Sequence, residues 1–216
     1  MMHRLLVIIV CCFWISHASA EELIDDMFNA VKLDNAQTVT ELLNQGVDVN
    51  LLDRDGNSLL MIAAREGSSK VFETLLKAGA KPYLANRYGD TPFMIAAFKG
   101  NTDMVLQLIK AGVPPISNHP RGWNPLHYAA YAGHLDVVKV LLALGIDPNL
   151  PIDNGSTALM LAARMGHRDV VKMLLANGAD SRIRNLAGKT AMQWAEEEGN
   201  TDIAEILAAA SRMQKH

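Results

Sequence analysis

The sequence predicts an all-α fold, a solenoid of six stacked helix-turn-helix units with short β-turn or hairpin connections, and three observations predict it. Glycines stand at Gly56, Gly89, Gly122, Gly155 and Gly188, each 33 residues from the last, and two further series, Gly46 to Gly178 and Gly67 to Gly199, keep the same step. Alanine pairs recur in that register at Ala63-Ala64, Ala96-Ala97, Ala129-Ala130 and Ala162-Ala163. Aliphatic pairs recur beside them, from Leu42-Leu43 through Leu75-Leu76, Leu108-Ile109, Leu141-Leu142 and Leu174-Leu175 to Ile206-Leu207. A fixed period without insertions marks a stack of like supersecondary units, each burying its apolar face on the next.

Residues 1–20 stand outside this register. "MMHR" supplies Arg4, "LLVIIVCCFWI" is an apolar run, and "SHASA" ends in the small-x-small pattern Ala18-Ser19-Ala20, the order of a secretory signal peptide cleaved after Ala20. An uncleaved anchor needs roughly 20 apolar residues to span hydrocarbon, and the charged "EELIDD" follows at once. Both cysteines, Cys11 and Cys12, lie in this run, with Val10 and Cys11 where a lipoprotein signal would want a small residue. The chain left after cleavage has no cysteine, which suits an oxidising compartment, the periplasm or the exterior. Losing Arg4 takes Lys+Arg from 20 to 19 against 23 Asp+Glu, so the net charge moves from -3 to -4. That balance gives no basic patch for nucleic acid and no attachment of the mature form to a membrane, and a monomer is expected.

The units then follow at about 21–51, 52–84, 85–117, 118–150, 151–183 and 184–210, with a tail over 211–216. In "YGDTPFMIAAFKGN" the first glycine permits a tight turn at positive φ. Thr91 then caps the first helix, and Pro92 takes its first position, where a missing N–H costs nothing. Ser58, Asn124, Thr157 and Thr190 hold the same cap place, and Pro125 repeats the proline. Gly100 and its equivalents close that helix in a left-handed conformation. Asp103, Asp136, Asp169 and Asp202 fall in the first turn of the second helix, where negative charge meets the positive end of the helix dipole. The first unit lacks the glycine turn. In the last, Glu196 replaces the second alanine and Ser211 stands where the glycine should be, polar changes that suit an end face no neighbour covers.

This pattern resembles the ankyrin repeat, whose signature is a turn followed by Thr-Pro-Leu-His and an Ala-Ala pair on a 33-residue period. "GDTPFMIAAFKGN", "GWNPLHYAAYAGHLDVVKVLLALGIDPN" and "GSTALMLAARMGHRDVVKMLLANGAD" match it best, and the resemblance covers essentially all of residues 21–210. It accounts for most of "NHPRGWNPLHYAAYAGH", residues 118–134, which packs three histidines, a tryptophan and two tyrosines together. His127 is the signature histidine, and His134 follows the helix-ending glycine as His167 does one repeat later. His119 and Trp123, flanking the turn glycine, need another explanation.

A metal site is not expected, because His119, His127 and His134 lack tight ligand spacing and no cysteine joins them. Met61, Met94 and Met160 replace the signature histidine in three units, which could hint at copper through thioethers. Neighbouring helices lie about 8 to 10 Å apart, so the row offers one thioether per repeat, and methionine as adaptable core filler is the better reading. No cofactor and no enzymatic activity are expected: there is no G-x-S-x-G elbow, phosphate-cradling loop or His-Glu-x-x-His helix, and "EEE" at 196–198 reads as a solvated cap.

Protein binding remains, and the resemblance implies that turn tips and the exposed side of the first helices perform it. Carried over position by position, these are Arg54, Asp55, Asn57, Arg65 and Glu66 in the second unit and Arg87, Tyr88, Asp90, Phe98 and Lys99 in the third. The fourth contributes Arg121, Trp123 and Tyr131, and the fifth Asp153, Asn154, Ser156, Arg164 and Met165. Aromatics and arginines, the residue types of interface hot spots, concentrate on the two central units. Trp123 is expected to stand exposed at its turn tip, whereas the Phe98 ring can bury against the next repeat. Pro114, Pro115 and Pro120 should stiffen the connection to Trp123 and shape it unlike the others. The implied function is an exported, non-enzymatic module that binds a partner protein through its concave surface, as accessory or regulator of an exported enzyme. The alternatives are an immunity-type inhibitor of a periplasmic toxin and a metal or small-ligand carrier using the Met/His row.

Overall fold

The computed structural model describes residues 21–115 and 119–214. The expected leader, with Cys11 and Cys12, lies outside these residues. The first unit holds helices α1 (21–32) and α2 (Ala36–Asn44), the second α3 (Leu59–Glu66) and α4 (Ser69–Lys77), and the third α5 (Pro92–Lys99) and α6 (Thr102–Lys110). The fourth holds α7 (Pro125–Ala132) and α8 (Leu135–Ala143), the fifth α9 (Ala158–Arg164) and α10 (Arg168–Ala176), and the sixth α11 (Ala191–Glu197) and α12 (Thr201–Met213). From the second unit on, first helices pack on first helices and second helices on second helices, so the fold has two helical layers. No helix among the described residues is long and apolar enough to cross a membrane.

The recurring small and aliphatic residues explain the layers. Ala63, Ala64, Ala96, Ala97, Ala129, Ala130, Ala162 and Ala163 are all fully buried, and their small side chains let successive first helices approach closely. From the second unit on, each second helix contributes an apolar triplet to the core, Val71, Phe72 and Leu75 in α4, for example, and Val137, Val138 and Leu141 in α8. The register continues into the first unit, where Asp34, with φ of 54°, stands in line with Gly67 and Gly100. Its carboxylate accepts the Val71 N–H at 2.9 Å, tying the first unit to the second.

The expected caps form with one exception. Ser58, Thr91, Asn124 and Thr190 each accept a hydrogen bond from the backbone three residues on, whereas the Thr157 side chain makes no cap bond. The residue at that third helical position reaches back in turn. Met94 Sδ accepts the Thr91 N–H at 3.4 Å, His127 Nδ1 accepts the Asn124 N–H at 3.2 Å, and Gln193 Oε1 accepts the Thr190 N–H at 3.0 Å. Methionine, histidine and glutamine thus serve one structural purpose there.

The tail expected from residue 211 begins later than that boundary. Ser211 occupies a glycine position without glycine's ease in the left-handed region, so α12 runs on to Met213 instead of ending as the earlier second helices do. Gln214 then accepts from the Ser181 N–H at 3.0 Å and hydroxyl at 2.8 Å and donates to the Ala179 carbonyl at 2.9 Å, which ties the end of α12 to the fifth unit.

Candidate protein-binding surface

The turn tips form a strip along one edge of the stack. Each is closed by backbone bonds such as Asp53 N–H to the Asn57 carbonyl, Asn86 N–H to Asp90 and Ile152 N–H to Ser156, all 2.9 Å. Side chains three residues before the turn glycine brace them: Asp53 accepts the N–H groups of Asp55 and Asn57, Asn86 those of Tyr88 and Asp90. His119 holds the same place in the fourth unit, and its Nδ1 accepts the Arg121 N–H at 3.1 Å. This turn brace accounts for a histidine that the repeat pattern left unexplained.

Neighbouring tips are bonded at an offset of 32 residues. Arg87 N–H donates to the Asp55 carbonyl (3.2 Å), Asp153 N–H to Arg121 (3.1 Å) and Leu186 N–H to Asn154 (2.9 Å). Between the third and fourth tips the same offset pairs the Tyr88 carbonyl with Pro120, which has no N–H to give. That rung is missing, and a depression of about 440 Å³ opens there, with Arg87, Tyr88, Arg121 and Trp123 around it and Asp90, His119 and Tyr128 completing its lining.

Beside the depression the first helices carry an aromatic cluster. Tyr128 and Tyr131, three residues apart on α7, share a face. The Trp123 ring centroid lies 4.9 Å from that of Tyr128 and 6.0 Å from that of Tyr131, while Phe98 from the preceding unit stands edge-on to Tyr128 at 6.0 Å and stacks near Tyr131 at 6.5 Å. The Tyr128 hydroxyl donates to Asp90 Oδ1 at 2.5 Å, and His119 Nε2 lies 3.7 Å from the same oxygen. Burial first, and then the bond to Asp90 and its charge, push the Tyr128 hydroxyl well above its ordinary pKa, while Arg121 pulls it partly back. Rings packed in this way are held for contact with little left to order on binding.

Comparison with known proteins places the chain. The family model described as Ankyrin repeats (3 copies) matches residues 26–86, 67–152 and 151–215. The chain belongs to the ankyrin-repeat family. Over 46 residues it is 50% identical to the Nuclear factor NF-kappa-B p105 subunit of Gallus gallus, a stretch that takes in 21% of this chain and 5% of that protein's length. Ankyrin repeats are protein-interaction modules, typically non-enzymatic, and the family thus implies a protein partner for this stack.

Within the ankyrin stack the expected contact residues divide into three groups. Arg54, Asp55, Arg87, Tyr88, Lys99, Arg121, Asp153 and Asn154 are exposed on the tips or first helices, as expected. Arg65 pairs with Glu66 at 3.3 Å, and Arg164 pairs with Glu198 at 3.0 Å and lies over the Trp194 ring, so these cations are already engaged, with Met165 exposed beside them. Asn57 and Ser156 are corrections: both are buried, at 5% and 0% exposure, because the residue after the turn glycine points inward. Asn57 donates to Asp53 and accepts from Asn86 of the next tip, and Ser156 receives Asn185 in the same way, so both bond turn to turn inside the stack. Asp90 is half-buried under Tyr128.

Two aromatics exchange their expected roles. Trp123 is half-buried, folded over Tyr128, whereas Phe98 remains 39% exposed and Tyr131 36%. Tyr128, absent from the sequence-derived set, sits at the centre of the cluster, and its spacing of three from Tyr131 was the available signal. The histidines are separated by their duties: His127 is buried with Nε2 donating to the Leu150 carbonyl at 2.9 Å, and His134 and His167 Nε2 each reach a carbonyl of the preceding unit, Phe98 and Tyr131, at 2.9 Å. Among the described residues no group of three or more His, Cys, Asp or Glu is arranged to hold a metal ion. Met94 and His127 already spend their acceptor atoms on backbone N–H groups, and Met61, Met94 and Met160 are buried.

Proposed function

We propose that this ankyrin stack is an exported, non-enzymatic module that binds a partner protein through the tips and first helices of its third and fourth units, as accessory or regulator of an exported enzyme. The observation that carries the surface is the ring cluster of Phe98, Trp123, Tyr128 and Tyr131 beside a break in the strip of tips. Aromatic anchors grouped centrally and rimmed by charged residues are the composition of an interface hot spot. Export rests on the leader-like order of residues 1–20 and on the absence of cysteine after it.

The test is affinity capture from periplasmic extract, with the wild-type chain beside Trp123→Ala/Tyr131→Ala and bound proteins identified by mass spectrometry. A protein held by the wild type and lost by the still-folded variant supports the surface. Equal retention by both rejects it. Export is checked separately by sequencing the N-terminus of protein released from the periplasm of a Gram-negative host: a start at Glu21 supports cleavage after Ala20, and a retained leader refutes it.

A further inference from the structure

We propose that the depression between the third and fourth turn tips seats an acidic side chain of the partner, an Asp or Glu of an extended segment, with its carboxylate between the Arg87 and Arg121 guanidiniums and a neighbouring apolar side chain on the Trp123 and Phe98 rings. This rests on the binding-surface reading above and deepens it by naming the chemistry of the occupant.

Three observations carry the assignment. The first is the break itself. At the other tip junctions in this strip a backbone bond joins consecutive tips, whereas at this one Pro120 has no N–H to give and its ring packs against Gly89 instead, leaving beside it a depression large enough for a side chain. The second is the charge balance of the lining. Its one carboxylate, Asp90, is held by the Tyr128 hydroxyl at 2.5 Å with His119 beside it. Arg87 and Arg121, both exposed, take part in none of the ion pairs among the described residues. Toward the C-terminal end of the same surface the charges are matched internally, Arg164 with Glu198 and Lys189 with Glu197. Arg87 and Arg121 thus bring two cations outside those ion pairs to one depression, in a chain whose net charge is -3.

The third observation restricts the anion. Exposed Asp55 and Asp153 occupy the tips on either side, so a polyanion laid along the strip would meet repulsion at both ends. One carboxylate between two planar guanidiniums, which offer paired donors matched to its two oxygens, escapes that repulsion. The rings next to the depression then favour an apolar residue beside the acid.

The experiment is selection of a phage-displayed library of random dodecapeptides on the immobilised chain, followed by fluorescence anisotropy with the selected peptides in labelled form. Enriched peptides should carry Asp or Glu next to Leu, Phe or Trp. Their affinity should fall about tenfold or more for Arg87→Glu/Arg121→Glu, a change of exposed residues that leaves circular dichroism unchanged, and should weaken as NaCl is raised. Peptides without acids, acidic peptides that bind this variant as well as the wild type, or a selection without binders each overturn the proposal. If selected peptides are lost with Trp123→Ala/Tyr131→Ala but kept with Arg87→Glu/Arg121→Glu, the binding surface stands and the acid seat falls.

Discussion

The hydroxyl of Tyr128 donates a 2.5 Å hydrogen bond to Asp90, a residue of the preceding unit's turn. Tyr128 is half-buried and its ring is packed between Trp123 and Phe98, so the hydroxyl has one position and the carboxylate receives it there. Hydrogen bonds to a charged group are worth more than neutral ones, and Tyr128→Phe is expected to cost about 2 kcal/mol in urea unfolding. Asp90→Asn keeps an acceptor and should cost less than half as much. Equal losses for the two would show that the ring packing, not the bond, holds this junction.

His127 makes the stack sensitive to acid. Its Nδ1 accepts the Asn124 N–H, so its proton sits on Nε2, which donates to the Leu150 carbonyl. A second proton would have to enter at Nδ1 and displace the Asn124 contact. Burial pulls the group down to about 4 from its ordinary 6.5, against a smaller opposing pull from the Leu150 bond. Because the folded value is the lower one, the unfolded chain takes up the extra proton first as pH falls. The contribution to stability is therefore complete above about pH 6.5 and is lost progressively down to about pH 4, by about 3 kcal/mol at most. His127→Met, the residue found at this place in three other units, should flatten unfolding free energy against pH across that window. An unchanged slope would assign the acid sensitivity elsewhere.

Gly100, Gly133 and Gly166, which end first helices, are crowded by the next unit's side chain, whereas the glycines that end the second helices are not. A side chain at Gly133, where φ is 81°, would come within 2.5 Å of the His167 ring, which is fixed by its bond to Tyr131; one at Gly178, with φ of 87°, meets nothing within 4 Å. Gly178→Ala should cost about 1 kcal/mol from backbone strain alone. Gly133→Ala should cost roughly twice that, since the ring must also leave its carbonyl. In a His167→Ala background the two substitutions should become alike, a non-additivity that a double-mutant cycle of thermal melts would read.

Thr190 and Thr157 test the caps in the same way. Thr190 accepts the Gln193 N–H at 3.3 Å while Gln193 reaches back to the Thr190 N–H, but Thr157 makes no such bond. Thr190→Val should cost about 1 kcal/mol, and Thr157→Val less than about 0.5 kcal/mol. A reversal of that order would show that helix-end packing outweighs capping here.

The stack was legible in the sequence because its determinants act at fixed separation. Glycine in a left-handed position and alanine between close helices have few substitutes, so one unit's solution recurs in the next. The binding strip was less legible. Asn57 and Ser156 are polar types at a turn, and residue type does not tell that the position after the turn glycine points inward to bond the neighbouring tip. Trp123 turned in because Tyr128, five residues further on and one helical turn up α7, offers it a ring of its own unit. The consequence of Pro120 was hidden for another reason: the carbonyl it fails to meet is 32 residues back, whereas the visible period is 33. His119 was readable only as a departure from the pattern, and its role as a turn brace needed the geometry of Nδ1.

From the third unit on, the side chain after the first-helix glycine hooks a carbonyl of the unit before it, Asn101 on Ala64 at 2.7 Å, His134 on Phe98 and His167 on Tyr131 at 2.9 Å, and Asn200 on Ala163 at 3.0 Å. Mechanically these are clasps in series, so tension applied at the two ends loads all of them equally, and the weakest opens first while the others still hold. Each opening frees one 33-residue unit, which lets out roughly 110 Å of extended chain less the thickness of about 10 Å that the folded unit occupied. Pulled from its ends, the stack would lengthen in even steps of about 100 Å, as an extensible tether whose clasps re-form one at a time when the load is removed.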